Sequence, residues 1–291
     1  MTEVTLIEIS LAFTRYLYQM VEVKQSLFIA LLDHNPDEAL YWMYELYYSG
    51  FDEEVYDYIL LIYDAIYMKL HPNLQDFITS KYAKWKKYGS TTETDTDIGS
   101  IVYTLALRSY CLVDFIRKYL AANVKSTYIN NTTESTQFIV NLTPEHIEKY
   151  KTFDHSSSIQ PGRVLDRVVK YPICKIYNKL FNTLTHKNFP EAYLTKWLYY
   201  ASFSPIWYQR IINYNGQIDY KNLVVTFDSD DDEEEFRRIW DYDPDEVSTQ
   251  VFTRCVGTGK ETMSSLKQFC EKYNYTIHSR IIKRKPKLDG T

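Results

Sequence analysis

Lysines and aromatic rings alternate in KYAKWKKYG at residues 81 to 89, and a second basic run, SRIIKRKPKL, occupies residues 279 to 288. Lys84, Lys86 and Lys87 beside Tyr82, Trp85 and Tyr88 combine phosphate-pairing charge with rings on which a base stacks, the pairing that single-strand binders use. The same spacing also describes a helix end whose lysines complement its dipole. Lys283, Arg284, Lys285 and Lys287 read either as a nuclear-localisation or nucleic-acid patch or as a solvated terminus. Lys84, Trp85, Lys86, Lys87 and these four are the candidate residues for binding nucleic acid or a partner.

The opposite charge is concentrated in DSDDDEEEFRRIW from Asp228. Asp228, Asp230 and Asp232 alternate as in a calcium loop, but Glu233 stands where the sharp turn needs glycine and Ile239 where the bidentate glutamate belongs. The stretch 228–235 therefore reads as a solvated, locally mobile acidic segment, a screen for basic surface or a docking patch for a basic partner. Ser229, followed by Asp230, Asp231 and Asp232, is a candidate phosphorylation site of the casein-kinase-2 type. In RCVGTGKET, Arg254 occupies the position of the first phosphate-loop glycine and Glu261 that of the magnesium-binding hydroxyl, so the segment reads as a helix cap. The six histidines are isolated, Asp154-His155 before Ser156 to Ser158 says nothing about a triad assembled in space, and the four cysteines lack zinc-site spacing. No catalytic residue, metal ligand or cofactor site is assigned, and the reading leans away from an enzyme.

Those residues must be positioned by a chain of 291 residues that is 45% hydrophobic and 16% aromatic, with only 8 Gly and 9 Pro. Few breakers and many large rings predict helices in preference to a many-stranded sandwich. The formal charge of −5 hides strong segregation. Counting Lys and Arg against Asp and Glu gives −6 for residues 1–125, +5 for 143–222, −9 for 223–247 and +6 for 248–291. Glu3 and Glu8 interrupt the first apolar run, which is expected to be a retained helix and not a secretory signal. No stretch is apolar enough to predict a membrane span.

Helices are predicted at about 3–32 (with a possible break near 22–24), 36–49, 52–69, 74–87, 98–121, 143–151, 163–184, 189–213, 232–240, 244–255 and 260–273. The best marked start is Asn35-Pro36-x-Glu38, a cap, a first-turn proline and a capping box. Tyr56, Tyr58, Tyr63 and Tyr67 are spread over several faces of the following helix, which predicts a core role and not a stacking platform. Residues 135–142, 220–227 and 275–282 have strand character and are expected to form one small sheet. The expected fold is mainly α, an irregular helical array with a small β element in the C-terminal half. Its expected domains are 1–125 and 143–291, the second carrying the minor sheet and the acidic segment.

The Tyr-, Asn-, Ile- and Lys-heavy helices, with YWMYELYYSGF and WDYDPDEVSTQV, resemble uncharacterised proteins of mimivirus-like giant DNA viruses. NPDEALYW followed by Gly50 and a second helix is similar, over about residues 35–72, to the helical domain of clamp-loader-like ATPases, where that unit is packing and not catalysis. The first resemblance implies a viral protein working in host cytoplasm or virion, or in the nucleus. The expected function is a non-enzymatic helical interaction or scaffold protein with a protein partner. A nucleic-acid-binding accessory of viral replication or transcription is the alternative, and an enzyme with an unrecognised site the third reading.

Overall fold

The computed structural model describes residues 11–126, 138–151, 189–240, 249 and 265–278. Eleven α-helices and two antiparallel strand pairs lie among them, so the chain is mainly helical with a minor β element. The first part runs α1 (Met20–Leu32), α2 (Pro36–Tyr47), α3 (Asp52–Ile62), α4 (Gln75–Tyr88), α5 (Thr92–Ala106), α6 (Val113–Tyr119) and β1 (Val124–Ser126). The second runs α7 (Pro144–Lys151), α8 (Phe189–Ala201), α9 (Pro205–Asn213), β2 (Gly216–Asp219), β3 (Val224–Phe227), α10 (Asp230–Trp240), α11 (Leu266–Lys272) and β4 (Tyr275–Ile277). The helix expected at 163–184, the one expected at 244–255 apart from the helical residue 249, and the start of the one expected at 260–273 lie outside the described residues.

Local chemistry sets most of these boundaries. Asn35 caps α2 by accepting from the Glu38 backbone amide at 3.2 Å, and its side-chain Nδ2 donates to the Glu38 carboxylate at 3.1 Å. The Asn35 backbone amide goes instead to the Ala30 carbonyl, so the cap is the predicted one but the reciprocal half of the expected capping box is not made. Asp52, Glu53 and Glu54 place negative charge at the positive end of α3. That helix continues as a π-helical turn, Tyr63–Tyr67, and ends before His71-Pro72.

Three expectations are corrected. Residues 3–10 of the helix expected at 3–32 lie outside the described residues; within 11–32 the helix begins only at Met20, because residues 13–19 form a buried tight turn with Leu17 at φ 63° and a bridge between Phe13 and Gln19. Its amides bond across the fold, Arg15 to Ser49 Oγ and Tyr16 to Glu45, which a continuing helix would not permit. The helix expected at 98–121 starts earlier, on a Thr91–Thr94 capping box, and breaks after Ala106. Beyond that break, the Cys111 amide goes to the Ile66 carbonyl and the Leu112 amide to the Tyr275 hydroxyl. The helix expected at 189–213 is interrupted where Ser204 and Pro205 cap a new one, α9.

The single expected sheet is also two separate strand pairs. β4 pairs with β1 and β3 pairs with β2 as a hairpin. Of the strand expected at 135–142, residues 135–137 lie outside the described residues and 138–142 form no strand, because side chains on α5 and Arg108 just beyond it take over their backbone groups. The Val140 and Leu142 amides donate to Thr104 and Ser100, and Arg108 donates to the Phe138 carbonyl.

The tyrosine-rich helices fill the core. Tyr56, Tyr63 and Tyr67 are fully buried and Tyr58 is 8% exposed. The apolar core is continuous from the first part of the chain into the second. Trp207 Nε1 donates to the Thr14 carbonyl at 3.1 Å, and Tyr273 donates to Asp33 at 2.8 Å. Contacts therefore run across the expected division at about residue 125. Gly50 makes one of these approaches possible: at φ +88° it holds a left-handed turn, and a Cβ there would stand 2.6 Å from Pro205 Cβ. Gly50→Ala should cost about 2 kcal/mol, from strain and displacement of α9. Chemical denaturation measures this, and an unchanged midpoint would show that the approach is not needed.

Candidate interaction surface

The residues expected to be a mobile acidic segment are the start of α10. Ser229 caps the helix, accepting from the Asp232 amide at 3.2 Å and donating to its carboxylate at 2.7 Å. Four acidic residues follow in the first turn and Arg237 and Arg238 sit in the last, both arranged favourably for the helix dipole. The pairs Glu233–Arg237 and Glu235–Arg238, at 2.7 and 2.6 Å, brace one side. Phe236 and Trp240, one turn apart, are the buried edge. Phe236 packs on Phe227 of the hairpin and on Tyr214, with ring centroids 5.0 and 5.8 Å apart, while Trp240 meets Trp207 of α9 at 5.8 Å. Asn215 and Gln217 bond Asp232 and Asp228, which ties the acidic end to the base of the hairpin.

Anchored in this way, α10 turns carboxylates to solvent. Asp230, Asp231 and Glu234 are exposed and make no ion pair with any described residue. On the outer face of the neighbouring α9, Tyr208 and Ile212 are exposed one turn apart. The arrangement offers negative charge beside limited apolar area.

The basic helix is disposed differently. Trp85 is 9% exposed, its ring 5.2 Å from Tyr56 and 5.9 Å from Tyr82, so it is spent on packing and offers no face to a base. Lys84 lies between Asp97 at 2.7 Å and Glu93 at 2.5 Å, and these carboxylates raise its pKa. Lys81 also pairs with Asp97. Lys86 reaches Glu53 at 3.5 Å and lies over the Tyr82 ring, whereas Lys87 has, among the described residues, the exposed Tyr88 ring 4.7 Å away and no carboxylate. The positive charge of α4 is therefore largely compensated by α3 and α5. Lys283, Arg284, Lys285 and Lys287 lie outside the described residues, as do Asp154 to Ser158 and the capping segment before Glu261.

No protein-family model, curated protein or solved structure matches the chain. Function must therefore be argued from these side chains alone.

Two buried polar clusters escaped the sequence reading. In the first, Glu45 accepts from Arg15 Nε at 3.0 Å and from the Tyr16 amide at 3.1 Å, and it also bonds the Thr14 hydroxyl. Burial pushes its carboxyl above the usual range, and these partners oppose that shift. The rest of the Arg15 guanidinium donates to the carbonyls of Tyr150 and Lys151, fastening the C-terminal end of α7. Arg210 is buried nearby, 4.5 Å over the Trp207 ring and 3.8 Å over Trp240, with burial and Arg15 lowering its pKa. In the second cluster Asp95 accepts from Tyr47 at 2.9 Å, Tyr48 at 3.2 Å and Ser90 at 2.8 Å, while Tyr44 donates to its carbonyl. The YELYY run is thus a set of phenol donors aimed at the start of α5. Nothing in its spacing reveals a partner about 50 residues away.

Both clusters satisfy buried carboxylates with fixed neighbours. Among the described residues, no three His, Cys, Asp or Glu side chains are grouped to hold a metal ion, and no helix is long and apolar enough to cross a membrane.

Proposed function

We propose that this chain is a non-enzymatic helical interaction protein, of the kind a large DNA virus would use, whose contact surface is the acidic solvent face of α10 and whose partner presents a basic protein segment. The observation that carries the reading is the contrast in charge compensation. Asp230, Asp231 and Glu234 face solvent without ion pairs, whereas Lys81, Lys84 and Lys86 on α4 already have carboxylate partners. A surface whose uncompensated charge is negative attracts cations and repels a phosphate backbone. The buried Glu45 and Asp95 are held in internal networks, which favours a packing role over proton transfer.

Fluorescence anisotropy with a lysine- and arginine-rich peptide tests the reading against an oligonucleotide of equal length. Peptide binding is expected to weaken as salt rises, and Asp230→Asn/Asp231→Asn/Glu234→Gln should reduce it about tenfold or more at low salt. These side chains are exposed, so the fold should survive the change. Oligonucleotide binding that is tighter than peptide binding and unaffected by the triple variant would favour the nucleic-acid alternative and the tail at Lys283 to Lys287.

A further inference from the structure

The junction between the hairpin and α10 carries the exposed hydroxyl of Ser229, which caps the helix through Asp232. Ser229 is exposed, one residue past the end of β3 plus Asp228, and belongs to neither regular element. Six consecutive carboxylates follow it, Asp230 to Glu235. Asp231 and Glu234 are exposed and have no cationic partner among the described residues, so they are available to the basic groove of an enzyme that reads acidic residues after its target.

We propose that Ser229 is the acceptor of an acid-directed, ATP-dependent protein kinase, and that its phosphorylation loosens the first turn of α10. In the transfer, Ser229 Oγ bonds to the γ-phosphorus of ATP, the bond from that phosphorus to the β–γ bridging oxygen breaks, and ADP leaves. The hydroxyl proton passes to a base of the kinase. The inference holds whatever α10 binds, because the reaction is read on the serine itself.

The structural consequence follows from the cap. The ester has no hydroxyl proton to donate to Asp232, and it adds about −1.5 to −2 of charge among Asp228, Asp230, Asp231 and Asp232. A phosphate at a helix N-terminus gains from the dipole, but here it meets several like charges within the same turn. Repulsion bears most directly on Asp232, which also accepts from Asn215 at 3.2 Å. Loss of that carboxylate from its place frees the first turn of α10 from Asn215 at the base of the hairpin. Phe236 and Trp240 remain buried, so the change is confined to the first turn.

The full chain is incubated with a casein-kinase-2-type enzyme and ATP, and the products are mapped by tandem mass spectrometry. One phosphate on Ser229 is expected, and Asp231→Asn/Glu234→Gln should slow its incorporation at least tenfold while circular dichroism stays unchanged. Amide exchange over residues 230–233 should rise several-fold in the phosphorylated protein, with residues 236–240 unaffected. An unmodified Ser229 overturns the proposal. Equal rates for the wild type and the double variant overturn its acid-directed recognition, and unchanged exchange overturns the loosening.

Discussion

Above about pH 10 the protein is expected to unfold, with its buried tyrosines ionising together and not one by one. Burial raises the phenol pKa of Tyr41, Tyr44, Tyr47, Tyr56, Tyr58, Tyr67 and Tyr150, all 8% exposed or less. In an unfolded chain each ionises near its ordinary value, about 10. Above that pH the folded state binds more protons than the unfolded one, so stability falls as pH rises. It is fully present below pH 10. Each phenol contributes a slope approaching about 1.4 kcal/mol per pH unit, and seven together about 10, comparable to the whole stability of an ordinary domain. Phenolate absorbance and circular dichroism should therefore change at the same pH. Gradual ionisation with the helices intact would show that these rings are not sealed in the core.

The second large effect concerns Glu45. Glu45→Ala should cost about 3 to 5 kcal/mol, because it leaves the Arg15 guanidinium buried without its carboxylate partner and the Tyr16 amide without its acceptor. Arg15→Met combined with Glu45→Leu should recover only part of this loss. Arg15 also holds the Tyr150 and Lys151 carbonyls, and an apolar replacement leaves the end of α7 unfastened. Urea denaturation of the single and double variants measures both quantities. A cost below about 1 kcal/mol for Glu45→Ala would mean that water reaches the pair and that the turn at residues 13–19 is not fixed by it.

Much of the architecture is legible in the sequence because it is locally encoded. Asn35-Pro36-x-Glu38 marks the start of α2, Asp52 to Glu54 the start of α3, and the tyrosines at 56, 58, 63 and 67 a core role, although α3 keeps an exposed face at Glu53, Glu54, Asp57 and Leu61. What local reading misses is decided by partners far away in the chain. The turn at 13–19 looks helical in its apolar spacing, yet Glu45 and Ser49 claim its amides. Residues 138–142 have strand composition, yet hydroxyls on α5 occupy two of their amides. In the same way, lysine and tryptophan interleaved in KYAKWKKY suggest a stacking surface until Asp97, Glu93 and Tyr56 are seen to occupy Lys84 and Trp85. Acidity alone suggested a mobile segment at 228–235, but a serine cap and two buried rings on one edge make it a helix.

Hydrogen–deuterium exchange with and without a lysine- and arginine-rich peptide tests the central claim most directly, because it locates the contact instead of only detecting it. Protection confined to α10 and the base of the β2–β3 hairpin, about residues 215–240, is the predicted result, and it should vanish in Asp230→Asn/Asp231→Asn/Glu234→Gln. Protection that leaves α10 untouched, or that appears only with an oligonucleotide and falls on residues 81–88 and 279–288, would contradict it.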